Sequence, residues 1–207
     1  MAESGRPRSA AAEAEAEGKA EAEGEADAAV ADADGDASTA AVADDGPALV
    51  VVCGLPGVGK TTVARRVAEH VDGEVLRTDA IRKQLFPDPD YTDAETERVY
   101  AELIDRAAER VADGESVVLD ATFAQARFRE GVRAAAAERG VPFRLVKVEC
   151  EEDVVEERIE ARDGLSDADF EVHLMFREEY DPVESEHAVV DNSGTEAATR
   201  DRVDDLF

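Results

Sequence analysis

Gly54-Leu55-Pro56-Gly57-Val58-Gly59-Lys60-Thr61-Thr62 has the spacing G-x-x-x-x-G-K-[ST] of a phosphate loop. Gly54 and Gly59 open backbone angles closed to residues with a Cβ, and Gly57 lets the loop wrap tighter. The loop amides then point inward as an anion nest. Lys60 adds a cation that follows the outer phosphates, and the Thr61 hydroxyl suits Mg²⁺, a hard cation that prefers oxygen. No glycine stands three residues after Gly59, unlike a dinucleotide fingerprint.

Further residues offer complementary chemistry. Asp120 ends the apolar run Ser116–Asp120 and reads as a second magnesium-site carboxylate, or as a strand-end cap for the next turn. Asp79 follows a short strand-like run; it reads as a base for an attacking hydroxyl, or as a helix N-cap. Arg82, three residues on, shares its helical face and reads as an anchor for an acceptor anion or for Asp79. Arg158 and Arg162 lie at i,i+4 on one predicted helix face. They suit closure over phosphates as a lid, or pairing with Glu156, Glu157 and Glu160. Arg127 and Arg129 are weaker acceptor candidates. Asn192-Ser193-Gly194 reads equally as an adenine pocket or as a turn.

The elements that must position these residues follow from periodicity. Ala48–Cys53, Glu74–Arg77, Ser116–Asp120, Phe143–Val148 and Ala188–Asp191 read as strands. Helices are predicted after each of them, including a long one over Asp93–Ala112 with Val99, Leu103, Ala107 and Val111 on one face. Val154–Arg162 is predicted helical, and Ser166 with Asp169 resembles a capping box for the next helix. Alternating strands and helices predict an α/β fold: a three-layer α/β/α P-loop NTPase domain with a five-stranded parallel sheet. Ligands of such sheets bind beyond the carboxyl ends of the strands, where the loop, Asp79 and Asp120 converge.

The chain has 207 residues and a formal charge of −28, from 51 acids against 23 bases. Residues 1–47 hold 13 acids and 3 bases, with almost no large apolar residue, and are expected to be a disordered acidic tail. Residues 48–207 form the expected domain, itself strongly acidic. The acids spread over every predicted helix, which favours adaptation to high salt over one basic-partner surface. Such a surface argues against passive nucleic-acid binding but leaves room for a nucleic-acid end as substrate. Cys53 and Cys150 read as small buried thiols, and His70, His173 and His187 as surface or packing residues. With no signal peptide or membrane span in the sequence, a cytoplasmic protein is expected, a monomer or weak dimer.

GLPGVGKTT, RTDAIRKQLF, VVLDATF with Arg129 following, the Arg158/Arg162 segment with SDAD, and VVDNSGT together resemble small P-loop kinases of the AAA domain-containing ATP-binding type. These are related to polynucleotide 5′-kinase, gluconate kinase, zeta toxin and chloramphenicol phosphotransferase. The resemblance spans roughly residues 49–195, and the first motif is the specific one. It implies Lys60 and Thr61 as nucleotide and magnesium residues, Asp79 as general base, Asp120 as metal-associated carboxylate and Arg158 or Arg162 as lid arginines. It implies ATP, since no N-K-x-D selects guanine, and leaves the acceptor open. The expected activity is transfer of the γ-phosphate of ATP to a hydroxyl of a small molecule or nucleic-acid end. An ATP-driven switch without acceptor, and a toxin-like kinase of a cell-wall sugar nucleotide, are the rival readings.

Overall fold

The computed structural model describes residues 46–161 and 167–207, and side chains within 46–161 and 170–207. The low-complexity stretch, Arg162 and the Ser166/Asp169 capping pair lie outside the described residues or side chains.

Five strands alternate with helices. They are β1 (Leu49–Cys53), β2 (Gly73–Arg77), β3 (Ser116–Asp120), β4 (Phe143–Glu149) and β5 (Ala188–Asp191). The helices are α1 (Lys60–Val71), α2 (Thr78–Leu85), α3 (Asp93–Ala112), α4 (Ala126–Arg139), α5 (Glu152–Glu160), α6 (Asp167–Glu179) and α7 (Glu196–Asp204). All strand pairs are parallel, in the order β2-β3-β1-β4-β5. β1 is central and wholly buried, which is why it reads as a continuous apolar run instead of an alternating one.

Each face of the sheet buries one set of alternating residues. Leu49, Val51 and Cys53 pack with Leu103, Val111, Leu119 and Val132 beneath α2, α3 and α4. Val50 and Val52 pack with Val63, Val67, Val155, Val190 and Val203 beneath α1, α5 and α7. Residue identity sets where helices begin and end. Thr92 caps α3 by accepting from the Glu95 amide at 3.3 Å, and Thr195 caps α7 through the Ala198 amide at 3.2 Å. Gly140 ends α4 with φ 65°, the left-handed angle glycine adopts without strain.

α3, β3 and β5 have their predicted bounds. α5 begins two residues earlier than predicted and stops at Glu160. Glu152 and Asp153 occupy its first turn, where carboxylates complement the helix dipole, and the Ser193 hydroxyl accepts from the Glu151 amide at 2.8 Å just before it. The folding pattern therefore brings the β1–α1 loop, the start of α2, the end of β3 and the β5–α7 turn to one edge of the sheet.

Candidate active site

The loop between β1 and α1 is held from three sides. Gly57 has φ 85°, and a Cβ there would lie 2.8 Å from Val155 Cγ1, so α5 packs against bare backbone. Gly59 has φ 91°, and a Cβ there would lie 2.1 Å from the Asn192 amide nitrogen. That amide belongs to the buried Asn192 after β5; it donates to the Val58 carbonyl at 2.7 Å and accepts from Thr199 Oγ1 at 2.6 Å. From α6, the buried His173 imidazole hydrogen-bonds through Nδ1 to the Pro56 carbonyl at 2.7 Å. The loop is a preformed cradle at the N-terminus of α1, where amides and the helix dipole favour an anion.

Lys60 opens α1, and its ammonium donates to the Leu55 carbonyl at 2.8 Å. Burial pushes its pKa down to about 8, against the opposing pull of Asp120 and Asp79. The cation is therefore poorly solvated inside the loop and is stabilised by any anion that arrives.

Next to it lies a chain of polar contacts. The Thr61 hydroxyl donates to Asp120 Oδ2 at 2.7 Å. Arg77 Nε donates to the same oxygen at 3.1 Å, and Arg77 Nη2 reaches Asp79 Oδ2 at 3.3 Å. The side chain of Asp120 is 4% exposed, that of Asp79 74%. Thr61, Asp120 and Asp79 are thus brought together as expected, linked by an arginine absent from the expected set. The Thr61 hydroxyl and the buried Asp120 carboxylate offer adjoining oxygens of the kind magnesium takes. Among the described residues no group of three or more His, Cys, Asp or Glu is arranged to hold a metal.

The expected arginines are placed differently. Arg82 reaches the Thr96 hydroxyl at 3.2 Å and lies 3.6 Å from Glu95 Oε2, under Tyr91, whose ring centroid is 4.9 Å from the guanidinium. Its partners among the described residues are thus on α3 and the loop before it, with Asp79 held by Arg77 instead. Arg129 departs furthest from the acceptor role foreseen for it. It is buried, and its two terminal nitrogens donate to the carbonyls of Phe123, Ala124, Asp181 and Pro182 at 2.7–3.1 Å. It clips the β3–α4 loop to the segment after α6, leaving neither terminal nitrogen free for an acceptor. Arg158 donates to the Asn192 carbonyl at 2.8 Å and the Gly194 carbonyl at 3.2 Å rather than to a neighbouring glutamate. Asn192, which reads equally as part of an adenine pocket or of a turn, spends its amide inside the protein on Val58 and Thr199. Asp191 organises the following turn, accepting from the Ser193 amide at 2.9 Å and hydroxyl at 2.6 Å.

Sequence reasoning missed Arg77 and His173. The signal for Arg77 is its place at the end of β2, level with Asp120 in the ladder. His173 carries no local signal, since its partner is 117 residues away.

Known proteins share this architecture. The model of a family described as an AAA domain matches residues 49–183. Proteins of Mycobacterium tuberculosis and Mycobacterium bovis, both described as uncharacterized, are 34% identical over 137 residues, covering 60% of this chain. The chain spans only 28% of the length of those relatives. Among solved structures, a gluconokinase from Sinorhizobium meliloti superposes with a TM-score of 0.59 at 24% identity, over 77% of this chain and 93% of its own. The APS kinase of Mycobacterium tuberculosis, in complex with AMPPNP and APS, gives a TM-score of 0.63 at 21% identity, over 78% and 97%. The fold is that of P-loop kinases.

Proposed function

Because the chain belongs to the AAA domain family, we propose that it is an ATP- and magnesium-dependent kinase of a hydroxyl acceptor, a small molecule or a nucleic-acid end. The observation that carries the reading is the hydrogen-bonded run Thr61–Asp120–Arg77–Asp79 beside the Lys60 loop. It places an exposed carboxylate next to a phosphate cradle, the arrangement that transfer to a hydroxyl requires.

The loop amides and Lys60 bind the triphosphate, Lys60 turning from the Leu55 carbonyl to the outer phosphates. Thr61 and Asp120 would hold magnesium, which would supply charge neutralisation at the phosphate oxygens. Asp79 takes the proton of the acceptor hydroxyl as the new O–P bond forms; the bond from the γ-phosphorus to the β,γ-bridging oxygen breaks and ADP leaves. Arg158, held on the Asn192 and Gly194 carbonyls, is the lid arginine among the described residues. Arg82 and Tyr91 border the acceptor side.

We read the acid surplus as adaptation to high salt and the protein as cytoplasmic and monomeric or weakly dimeric; no described helix is long and apolar enough to cross a membrane. The test is transfer from γ-labelled ATP in molar KCl with Mg²⁺, across 5′-hydroxyl oligonucleotides, nucleosides, sugars and aminoglycosides, with Lys60→Ala as control. A labelled acceptor that is lost in the control supports the kinase. Label recovered only as free phosphate from folded protein replaces it with an ATPase or switch, a reading that the His173 contact between α6 and the loop favours.

A further inference from the structure

Arg77 is the cation that neither the phosphate loop nor the expected acceptor set uses. It ends β2 opposite Asp120 in a parallel ladder, and paired positions carry their side chains on the same face. The sheet register therefore puts the guanidinium beside the buried carboxylate. Nε takes Asp120 Oδ2 at 3.1 Å, and Nη2 takes Asp79 Oδ2 at 3.3 Å. The Asp120 end is rigid, since the same oxygen also accepts the Thr61 hydroxyl at 2.7 Å and the side chain is 4% exposed. The Asp79 end is open to solvent. An isolated pair as exposed as Arg77–Asp79 would hold its geometry weakly. Here one side of the fork is already fixed, so the other arrives preorganised.

We propose that Arg77 is a positioning residue for phosphate transfer: anchored on Asp120, it holds Asp79 Oδ2 and leaves Oδ1 to meet the acceptor hydroxyl. The proposal rests on the reading of Asp79 as the base. It explains how a carboxylate on the solvent edge of α2 keeps a fixed bearing on the phosphate loop. It also makes lysine a poor substitute, because a single ammonium cannot reproduce a planar fork across two carboxylates.

The test compares wild type, Arg77→Gln, Arg77→Lys, Asp79→Asn and the Arg77→Gln/Asp79→Asn double variant. Misplacing a base by about an ångström costs on the order of a hundredfold, so Arg77→Gln should lower kcat by about 10- to 100-fold. The KM for ATP should stay within about twofold, and Arg77→Lys should recover only a small part of the loss. The double variant should be no slower than Asp79→Asn, since Arg77 acts through Asp79. A merely structural bridge predicts additive losses tracking the melting temperature; additivity, or wild-type turnover in Arg77→Gln, overturns the proposal. A second readout needs no acceptor. In the nucleotide-free protein, the carboxyl ¹³C resonance of Asp79, assigned with Asp79→Asn, should move in Arg77→Gln. A resonance indifferent to that change overturns the proposal. If wild type transfers phosphate to nothing, the kinase reading fails separately, and the resonance still decides whether Arg77 holds Asp79.

Discussion

The two sides of the sheet edge differ in how firmly they are built. On the nucleotide side, Asn192, His173, Val155 and Arg158 fix the loop and the β5–α7 turn through buried and half-buried contacts. On the acceptor side, Asp79 and Tyr91 are 74% and 71% exposed, and Tyr91 has φ 55°, a left-handed angle that costs a residue with a Cβ about 1 kcal/mol. A triphosphate is the same in every turnover, so a cradle fixed in advance binds it without reorganisation.

The contrast can be broken most sharply at Lys60. Lys60→Ala should lower transfer by at least about a hundredfold, measured as kcat/KM for ATP, since it removes the cation aimed at the transferring phosphate. Arg129→Ala should cost about 3 kcal/mol in denaturant unfolding, because four carbonyls lose a buried cationic donor. ATP affinity of the folded variant should change little; a large drop in affinity would return Arg129 to the ligand site. Asn192→Ala should cost about 2 kcal/mol and also weaken nucleotide binding, since the Val58 carbonyl is left unpaired and the Thr199 hydroxyl keeps only the Thr195 carbonyl at 3.3 Å.

A smaller effect follows from Lys60 ionisation. Its pKa in the free protein is about 8, below the ordinary lysine value, and an incoming phosphate raises it. ADP binding without magnesium should then take up a proton above pH 8, and affinity should fall as pH rises, by at most about tenfold per unit. Calorimetry in buffers of different ionisation enthalpy reads that uptake directly; no uptake between pH 8 and 9.5 would place the unperturbed ammonium in water. The same shift means that the folded protein binds fewer protons than the unfolded chain from pH 8 to about 10.5, so this group's contribution to stability grows with pH across that window. Smallest of all, Tyr91→Ala should alter stability by less than about 0.5 kcal/mol while changing the KM of the acceptor.

Periodicity and turn residues made the strands and helices readable. α3 shows its apolar stripe, and β1 and β3 their continuous burial, within a few residues of sequence. The phosphate loop was readable because all its parts are consecutive. What escaped depends on distance along the chain. Arg77 gains meaning only when the register sets it opposite Asp120, 43 residues away. Arg129 looks like any helix-surface arginine until the segment after α6 folds over it. Asn192 was singled out, but its neighbour is the loop it clamps, 134 residues back.

The central claim is that Asp79 serves the acceptor while the loop serves the nucleotide. Asp79→Asn tests it directly in single turnover, with ATP affinity and labelled transfer measured on one sample. ATP affinity should stay within about twofold of wild type and transfer should fall by a factor of about 10² to 10⁴, the usual contribution of a general base. Transfer at the wild-type rate, or loss of transfer only in proportion to lost ATP binding, would contradict it.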